Sequence, residues 1–182
     1  MKTDLSKYNT NHYSSGNIFA RIFWYFTNIL VFKSSFFTSY SIKRIVLKIF
    51  GAKIGKNVII KPNVNIKYPW KLQLGDHVWI GEGAWIDNLD SVIIGDHCCI
   101  SQGALLICGN HDYTKITFDL VVKPIVLEDG VWIGAKSVVC PGVVARTHAI
   151  LTAGSTISKD MQAYSIYRGN PAEKVKSRDI KE

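Results

Sequence analysis

His111 is the one histidine of five whose position asks for a chemical explanation. It follows Gly109-Asn110 and precedes Asp112-Tyr113, at the start of an irregular stretch that ends near Pro124. A loop carried by a rigid framework is a common place for catalysis, and imidazole, titrating near neutrality, is suited to moving a proton there. His77 and His97 are separated by one full repeat of the pattern described below and could share a metal ion, while His12 lies in a polar N-terminal arm. Near the other end, Gly169-Asn170-Pro171 is followed by Lys174, Lys176 and Arg178, a pattern that suits a phosphate-bearing ligand or simply a solvated tail. Cys98, Cys99, Cys108 and Cys140 show neither zinc-knuckle nor redox spacing and are expected to be reduced thiols.

The element that must position these residues runs from Ile54 to about Ser158 in six-residue units. An aliphatic residue opens each one: Ile54, Ile60, Ile66, Leu74, Ile80, Ile86, Ile94, Ile100, Leu106, Leu127, Ile133, Val139, Ala145, Leu151 and Ile157. Four positions later comes a small or branched residue in most units, preceded nearly always by Gly, Asn or His, the types that tolerate a positive φ. Each unit is therefore expected to be a short strand and a tight corner, three units making one turn of a parallel β-helix around a thin triangular core. Ordinary strands alternate with a period of two, not six, which argues against a β-sandwich. Because Ile54, Leu74 and Ile94 each begin a turn, the residues in excess of three hexads collect at one edge. Segments 67–73, 87–93 and 107–126 leave the helix there, which places Trp70, Asp87, Asn88 and His111 along one side. His77, His97 and His148 fall in corner slots, where turn formation is their default role. Trp79, Trp85 and Trp132 share the outward sixth slot, an exposed aromatic row of the kind that marks a subunit interface or a ligand wall.

Length and an apolar content of 47% suit one core. The chain divides into residues 1–50, a polar arm and a helical cap or amphipathic segment; 51–162, the β-helix with its 107–126 loop; and 163–182, a C-terminal tail. A net charge of +8 allows nucleic acid, an anionic membrane or a polyanionic cofactor as partner, but no motif that reads DNA or RNA is present, so nucleic acid is not expected. The aromatic run from Ile18 to Phe32 is shorter than the ~20 residues a spanning helix needs. Further on, Ile42, Ile45, Val46, Ile49 and Phe50 recur at helical spacing, with Lys43, Arg44 and Lys48 on the remaining face, as in an amphipathic basic helix. This N-terminal third is expected to cover the open end of the β-helix, to lie on an anionic membrane, or both. No cleavable signal is evident, so the expected location is cytoplasmic, with peripheral contact at the inner face of the membrane. The flat outer walls of a solenoid favour oligomerisation.

Taken together, the repeat, Gly109-Asn110-His111-Asp112-Tyr113, Trp132-Ile133-Gly134, Pro141-Gly142-Val143 and Gly169-Asn170-Pro171-Ala172 resemble the hexapeptide-repeat acyltransferases of the maltose and galactoside O-acetyltransferase type. More narrowly, Lys61-Pro62, Ile66 to Trp70, Gly75 to Gly83, Trp85 to Leu89 and Ile100 to Gly103 are similar to the colanic acid biosynthesis acetyltransferase branch. The resemblance implies a left-handed parallel β-helix, a homotrimer with active sites between subunits, acetyl-CoA as donor and no metal. It makes His111 the catalytic base: an imidazole, with an ordinary pKa of about 6.5, can take the proton from a sugar hydroxyl as that oxygen attacks the thioester carbonyl. It also implies that Trp132 lines the pantetheine arm, that Ala135 and Ala153 offer backbone contacts, and that Ser158 and Lys159 lie by the nucleotide. Arg168, Lys174 and Lys176 would then face the CoA phosphates. Gly81 stands where the galactoside branch has an acceptor-site Asn, so that branch's sugar specificity does not carry over. We place the acceptor instead against Trp70, Asp87 and Asn88, since Trp stacks on sugar rings while Asp and Asn bond hydroxyls. Asn110 and Asp112 flank the base, and Asp112 would either orient His111 or touch the acceptor. The other role open to Trp70 is packing at a corner.

The expected activity is O-acetylation of a sugar hydroxyl in exopolysaccharide, colanic-acid-like or related glycan assembly, on a carrier-linked intermediate. Alternatives on the same scaffold are N-acylation of an amino nucleotide-sugar, a γ-type carbonic anhydrase needing three zinc histidines, and a scaffold that binds without catalysis.

Overall fold

The computed structural model describes residues 2–181. Three parallel sheets form the sides of a left-handed triangular solenoid. The first face stacks Lys53–Ile54, Leu72–Leu74, Val92–Ile94, Ile125–Leu127 and Val144–Ala145. The second stacks Ile59–Ile60, Trp79–Ile80, Cys99–Ile100, Trp132–Ile133 and Ile150–Leu151, and the third Asn65–Ile66, Trp85–Asp87, Leu105–Ile107, Val138–Val139 and Thr156–Ile157. Pairing follows the hexad register: Ile60 lies over Ile80, Ile80 over Ile100, Ile100 over Ile133, and Ile133 over Leu151.

All fifteen unit-opening residues are buried and form the core. Asn57, Asn63, His77, Gly83, His97, Gly103, Gly130, Lys136, Gly142, His148 and Gly154 occupy the corners, each with φ between +53° and +86°. Lys136 is the one corner residue outside the Gly, Asn and His set, and it turns the chain the same way at +56°. His77 and His97 stack with centroids 4.9 Å apart and planes 3° from parallel, so the corner column accounts for both.

Two expectations need correction. The tryptophans do not form one row: Trp79 and Trp132 stand on the second face with Cys99 between them, and Trp85 stands on the third. The strand after the second hexad turns through a corner, so identical slots in successive hexads face different directions. Residues 163–182 are not a loose tail, because Ser165–Gly169 extends the second face beside Ile150–Leu151 and pairs antiparallel with Ala172–Ser177. Arg178 then donates to the carbonyls of Gly130 and His148 at 3.0 and 3.1 Å.

The helices take the capping role that was one of the two expected. Helix α1 (Ile18–Thr27) runs into a wider turn at Asn28–Phe32, and α2 (Tyr40–Ile49) follows. Both cover the open N-terminal end of the solenoid, and α2 does so with Lys43, Arg44 and Leu47 inward while Lys48 stays exposed. Lys43 is fully buried; its Nζ donates to the carbonyls of Ile60 and Lys61 at 3.2 and 2.9 Å, and Arg44 donates to Val58 O at 2.9 Å. Ile42, Ile45 and Ile49 face outward. The lowest turn has free carbonyls and no turn beneath it, so it needs donors more than it needs methyl groups. Trp24 Nε1 serves Ile66 O in the same way at 2.8 Å. Among the described residues no helix is long and apolar enough to cross a membrane.

Lys43→Met keeps the stem but orphans two carbonyls, and should lower unfolding free energy by about 1–3 kcal/mol. Ile45→Ser, on the outward side, should change it by less than about 0.5 kcal/mol. Urea denaturation measures both; equal stability of Lys43→Met and wild type would contradict the capping role.

Candidate active site

At the edge between the third and first faces the chain leaves the solenoid as a hairpin, Gly109–His111 pairing antiparallel with Leu120–Val122. Its root is fixed to the body, since Cys108 N donates to Asp87 O at 3.2 Å and Lys123 N to Cys108 O at 2.9 Å. His111 therefore projects on a short two-stranded arm whose base cannot shift without breaking the third face.

The imidazole is oriented by Phe118, at the far side of the hairpin loop. His111 Nδ1 lies 3.0 Å from Phe118 O. A carbonyl only accepts, so Nδ1 carries the hydrogen and Nε2 is left with the lone pair. Phe118 adopts φ +51°, uncommon for a bulky residue, and presents both its carbonyl and its ring to the histidine. The two rings stack at 4.4 Å and 7°, while Tyr8 packs against His111 at 5.8 Å. Tyr8 comes from the N-terminal arm, which is tied across the hairpin by Asp4 N to Ile116 O and by His12 Nε2 to Leu120 O.

Asp112 does not reach this histidine ring in the bonded network. Its carboxylate accepts from the Thr114 amide at 3.1 Å and from the Thr114 hydroxyl at 2.5 Å, with Lys115 at 3.8 Å. Those hydrogen bonds from Thr114 hold its pKa below the usual carboxylate range. Asn110 Oδ1 accepts from the His111 amide, fixing the backbone rather than the ring.

The sequence-placed acceptor wall separates into unlike parts. Asn88 is fully buried, and its amide clamps both backbone groups of Tyr68, taking N–H at 2.9 Å and donating to O at 2.6 Å, so the side chain is engaged with the backbone. Trp70 is stacked on Tyr68 at 5.1 Å, and Gly16 and Gly51 crowd it so closely that a Cβ on either would press on its indole or stem. Packing fixes the Trp70 ring, while its buried indole N–H has no hydrogen-bond partner among the described residues. Asp87 is different: its buried Oδ1 pairs with Lys67 at 2.9 Å. It lines a groove of about 620 Å³ between α1 and the third face, together with Ile22, Phe26, Ile29 and Trp85 and with Arg21, Lys33 and Lys67.

The residues assigned to the donor occupy two edges. Trp132 stands on the second face, its Nε1 donating to Ser101 Oγ at 2.9 Å, and together with Trp79 it bounds a cleft of about 460 Å³ over Cys99. Ala135 and Ala153 sit one above the other at the corner between the second and third faces, with Gly154 N on Ala135 O at 2.8 Å. Arg168 and Lys176 extend the second face above Trp132, and Lys174 bonds Gln162 Oε1 at 2.9 Å. Ser158 and Lys159 follow the last strand of the third face, at the edge His111 occupies.

The thiols stand apart from this chemistry. Burial pushes Cys98 up to about 12 and Cys108 to about 11. No group of three or more His, Cys, Asp or Glu is placed to hold a metal ion among the described residues. Residues that sequence reasoning missed are Phe118, Tyr8, Lys67 and the groove cations Arg21 and Lys33; the aromatics scattered through the otherwise polar arm were the available signal for Tyr8.

Residues 124–159 match the family described as hexapeptide repeat of succinyl-transferase. The chain is 36% identical over 176 residues, 96% of its own length and 97% of the relative's, to WcaF of Escherichia coli (strain K12), a protein named for acetyl transfer in colanic acid biosynthesis. In fold it resembles a hexapeptide-repeat-containing acetyltransferase of Vibrio cholerae O1 biovar eltor complexed with acetyl coenzyme A: TM-score 0.82, 20% identity, 97% of this chain and 96% of that one. It also resembles a galactoside acetyltransferase in complex with coenzyme A, with TM-score 0.81 and 22% identity over 93% of this chain and 86% of that one.

Asn88→Leu leaves both backbone groups of Tyr68 without partners and should cost about 1–3 kcal/mol of stability, visible as a fall in denaturation midpoint. An Asn88→Leu protein that unfolds like the wild type would return Asn88 to the list of ligand contacts.

Proposed function

The chain belongs to the hexapeptide-repeat acetyltransferases, and on that premise we propose that it moves an acetyl group from acetyl-CoA to a sugar hydroxyl, with His111 as the general base. The observation that carries this is the 3.0 Å contact of His111 Nδ1 with Phe118 O, which leaves the Nε2 lone pair free to accept a proton. Nε2 takes the proton of the acceptor hydroxyl as its oxygen attacks the thioester carbonyl carbon. The new C–O bond forms, the C–S bond breaks, and the departing CoA thiolate recovers the proton from the imidazolium. Phe118 and Tyr8 hold the ring in one orientation throughout, and Asp112 contributes by shaping the hairpin tip.

The acceptor is a sugar of an exopolysaccharide or related glycan, consistent with the name of the full-length relative, and we assign it to the groove beside Asp87. There the Asp87 carboxylate, held by Lys67, can accept from a sugar hydroxyl, while Trp85 offers an apolar surface. Walls as apolar as Ile22, Phe26 and Ile29 suit an acceptor still attached to a lipid carrier, at a cytoplasmic membrane surface touched by residues 18–50.

Acetyl-CoA requires a second copy of the chain. Trp132, Ala135 and Ala153 belong to the side and corner around the second face, whereas His111, Ser158 and Lys159 belong to the opposite edge of the triangle. A homotrimer with the donor lying between neighbours brings the two sets together, with Arg168, Lys174 and Lys176 turned to the CoA phosphates.

Acetyl-CoA-dependent thiol release should require a sugar acceptor and fall about 10²–10⁴-fold in His111→Ala, while Asp112→Asn should lose less than about tenfold. Sugar-dependent release that survives in His111→Ala would overturn the assignment of the base. For the shared site, mixing refolded His111→Ala with Ala153→Glu subunits should restore activity that neither has alone; persistent inactivity of mixed oligomers would show that each chain builds its own site.

A further inference from the structure

We propose that the outward side of the N-terminal cap is a docking surface for an anionic lipid leaflet, which it meets end-on, through α1 and α2, with the solenoid standing away from it. The inward anchors of the cap are few and complete: Trp24, Phe32, Lys43 and Leu47 are buried, and the polar groups among them are bonded to the lowest turn. What remains on the outside is apolar. Phe19, Phe23, Leu30, Phe36, Ile45 and Ile49 are 57–98% exposed. Half of the exposed large apolar side chains among the described residues fall in 18–49, so this is one patch and not the scattered exposure normal for a surface.

Charge selects the occupant. Residues 1–75 hold twelve of the 22 Lys and Arg but one of the 14 Asp and Glu, Asp4, so this end carries +11 while the remainder of the chain carries −3. Lys33, Lys48, Lys53 and Lys56 are exposed around the cap and take part in no ion pair among the described residues. A second copy presenting the same surface would bring like charge against like charge. An anionic leaflet offers the opposite charge to the rim and a hydrocarbon boundary to the aromatic centre, and neither helix is long enough to cross it.

Flotation of the full-length protein with vesicles tests this. Vesicles containing phosphatidylglycerol should carry the protein, pure phosphatidylcholine vesicles should carry much less, and added salt should release it. Replacing Phe19, Phe23 and Ile49 together by Ser should lower the bound fraction about tenfold or more, with the unfolding midpoint kept as the check on folding. Lys33→Glu with Lys48→Glu should weaken binding to the anionic vesicles alone. Absence of flotation, or equal flotation of the Ser variant, overturns the proposal. A Ser variant that changes oligomeric state instead of vesicle binding makes the face a protein interface and overturns it too. Thiol release with a soluble acceptor, followed in parallel without vesicles, keeps this result separate from that of the acetyl transfer itself.

Discussion

The end of the solenoid leaves backbone groups with no turn to pair with, and much else follows from that. Between turns the bonds run both ways: Ile59 N donates to Val78 O and Trp79 N to Cys98 O at the strands, while His77 N donates to Lys56 O and His97 N to Asp76 O at the corners. The first turn has no turn beneath it, so its downward carbonyls, Val58 O, Ile60 O, Lys61 O and Ile66 O, must be served by side chains. Buried acceptors of this kind are costly unless a donor reaches them. Lysine, arginine and the indole ring are donors that cannot accept, and Lys43, Arg44 and Trp24 are the residues the cap sends inward. At the other end the complementary need is met by acceptors: Asp160 Oδ1 takes Val144 N at 2.9 Å, and Tyr167 O takes Thr152 N at 2.9 Å.

The corners obey the same economy of space. Asp76, Asp96 and Asp129 each accept the backbone N–H of a residue one turn earlier, at 2.7, 2.7 and 2.8 Å, forming a ladder up one edge. Gly55 and Gly75 lie under this ladder, and a Cβ at either would meet the aspartate carboxylate above it. The repeated Ile-Gly-Asp of the sequence is thus a spacing rule: the glycine admits the aspartate of the turn above, and the aspartate satisfies an amide of the turn below. Side chains at the corner itself remain free to vary as long as they accept a positive φ, which is why His, Asn, Gly and Lys136 interchange there.

That division explains what the sequence could reveal. Residues that repeat were legible: the hexad positions predict the buried core and the corner slot predicts positive φ, because each depends on period alone. His111 stood out by failing to fit the period. The surroundings of His111 were not legible, since Phe118 and Tyr8 reach it from a loop and from an arm, and no spacing ties them to it. The inward face of α2 was not legible for a different reason. Helical periodicity identifies two faces, but the assignment of the apolar one to the core assumes that the core side lacks unpaired acceptors. On the end of a solenoid that assumption fails. Asn88 misled in a related way: a polar residue at the edge could serve a ligand or the backbone, and only the positions of Tyr68 N and O decide.

The capping of orphan carbonyls also bears on where the acceptor approaches. With Trp24, Lys43, Arg44 and Leu47 turned inward, Ile42, Ile45 and Ile49 of α2 and most of α1 are left outside, and Ile22, Phe26 and Ile29 of α1 wall the groove. Asp87 lines that groove from the strand whose carbonyl holds Cys108, the residue from which the His111 hairpin departs. An apolar surface, a groove beside it and a carboxylate thus lie on the side of the fold that carries the hairpin. On the proposed reading, a glycan held by a lipid would enter along that path with its lipid at the cap and its sugar at Asp87. On the same reading the acceptor enters from the first turn and the CoA nucleotide lies toward the last, by Ser158 and Lys159.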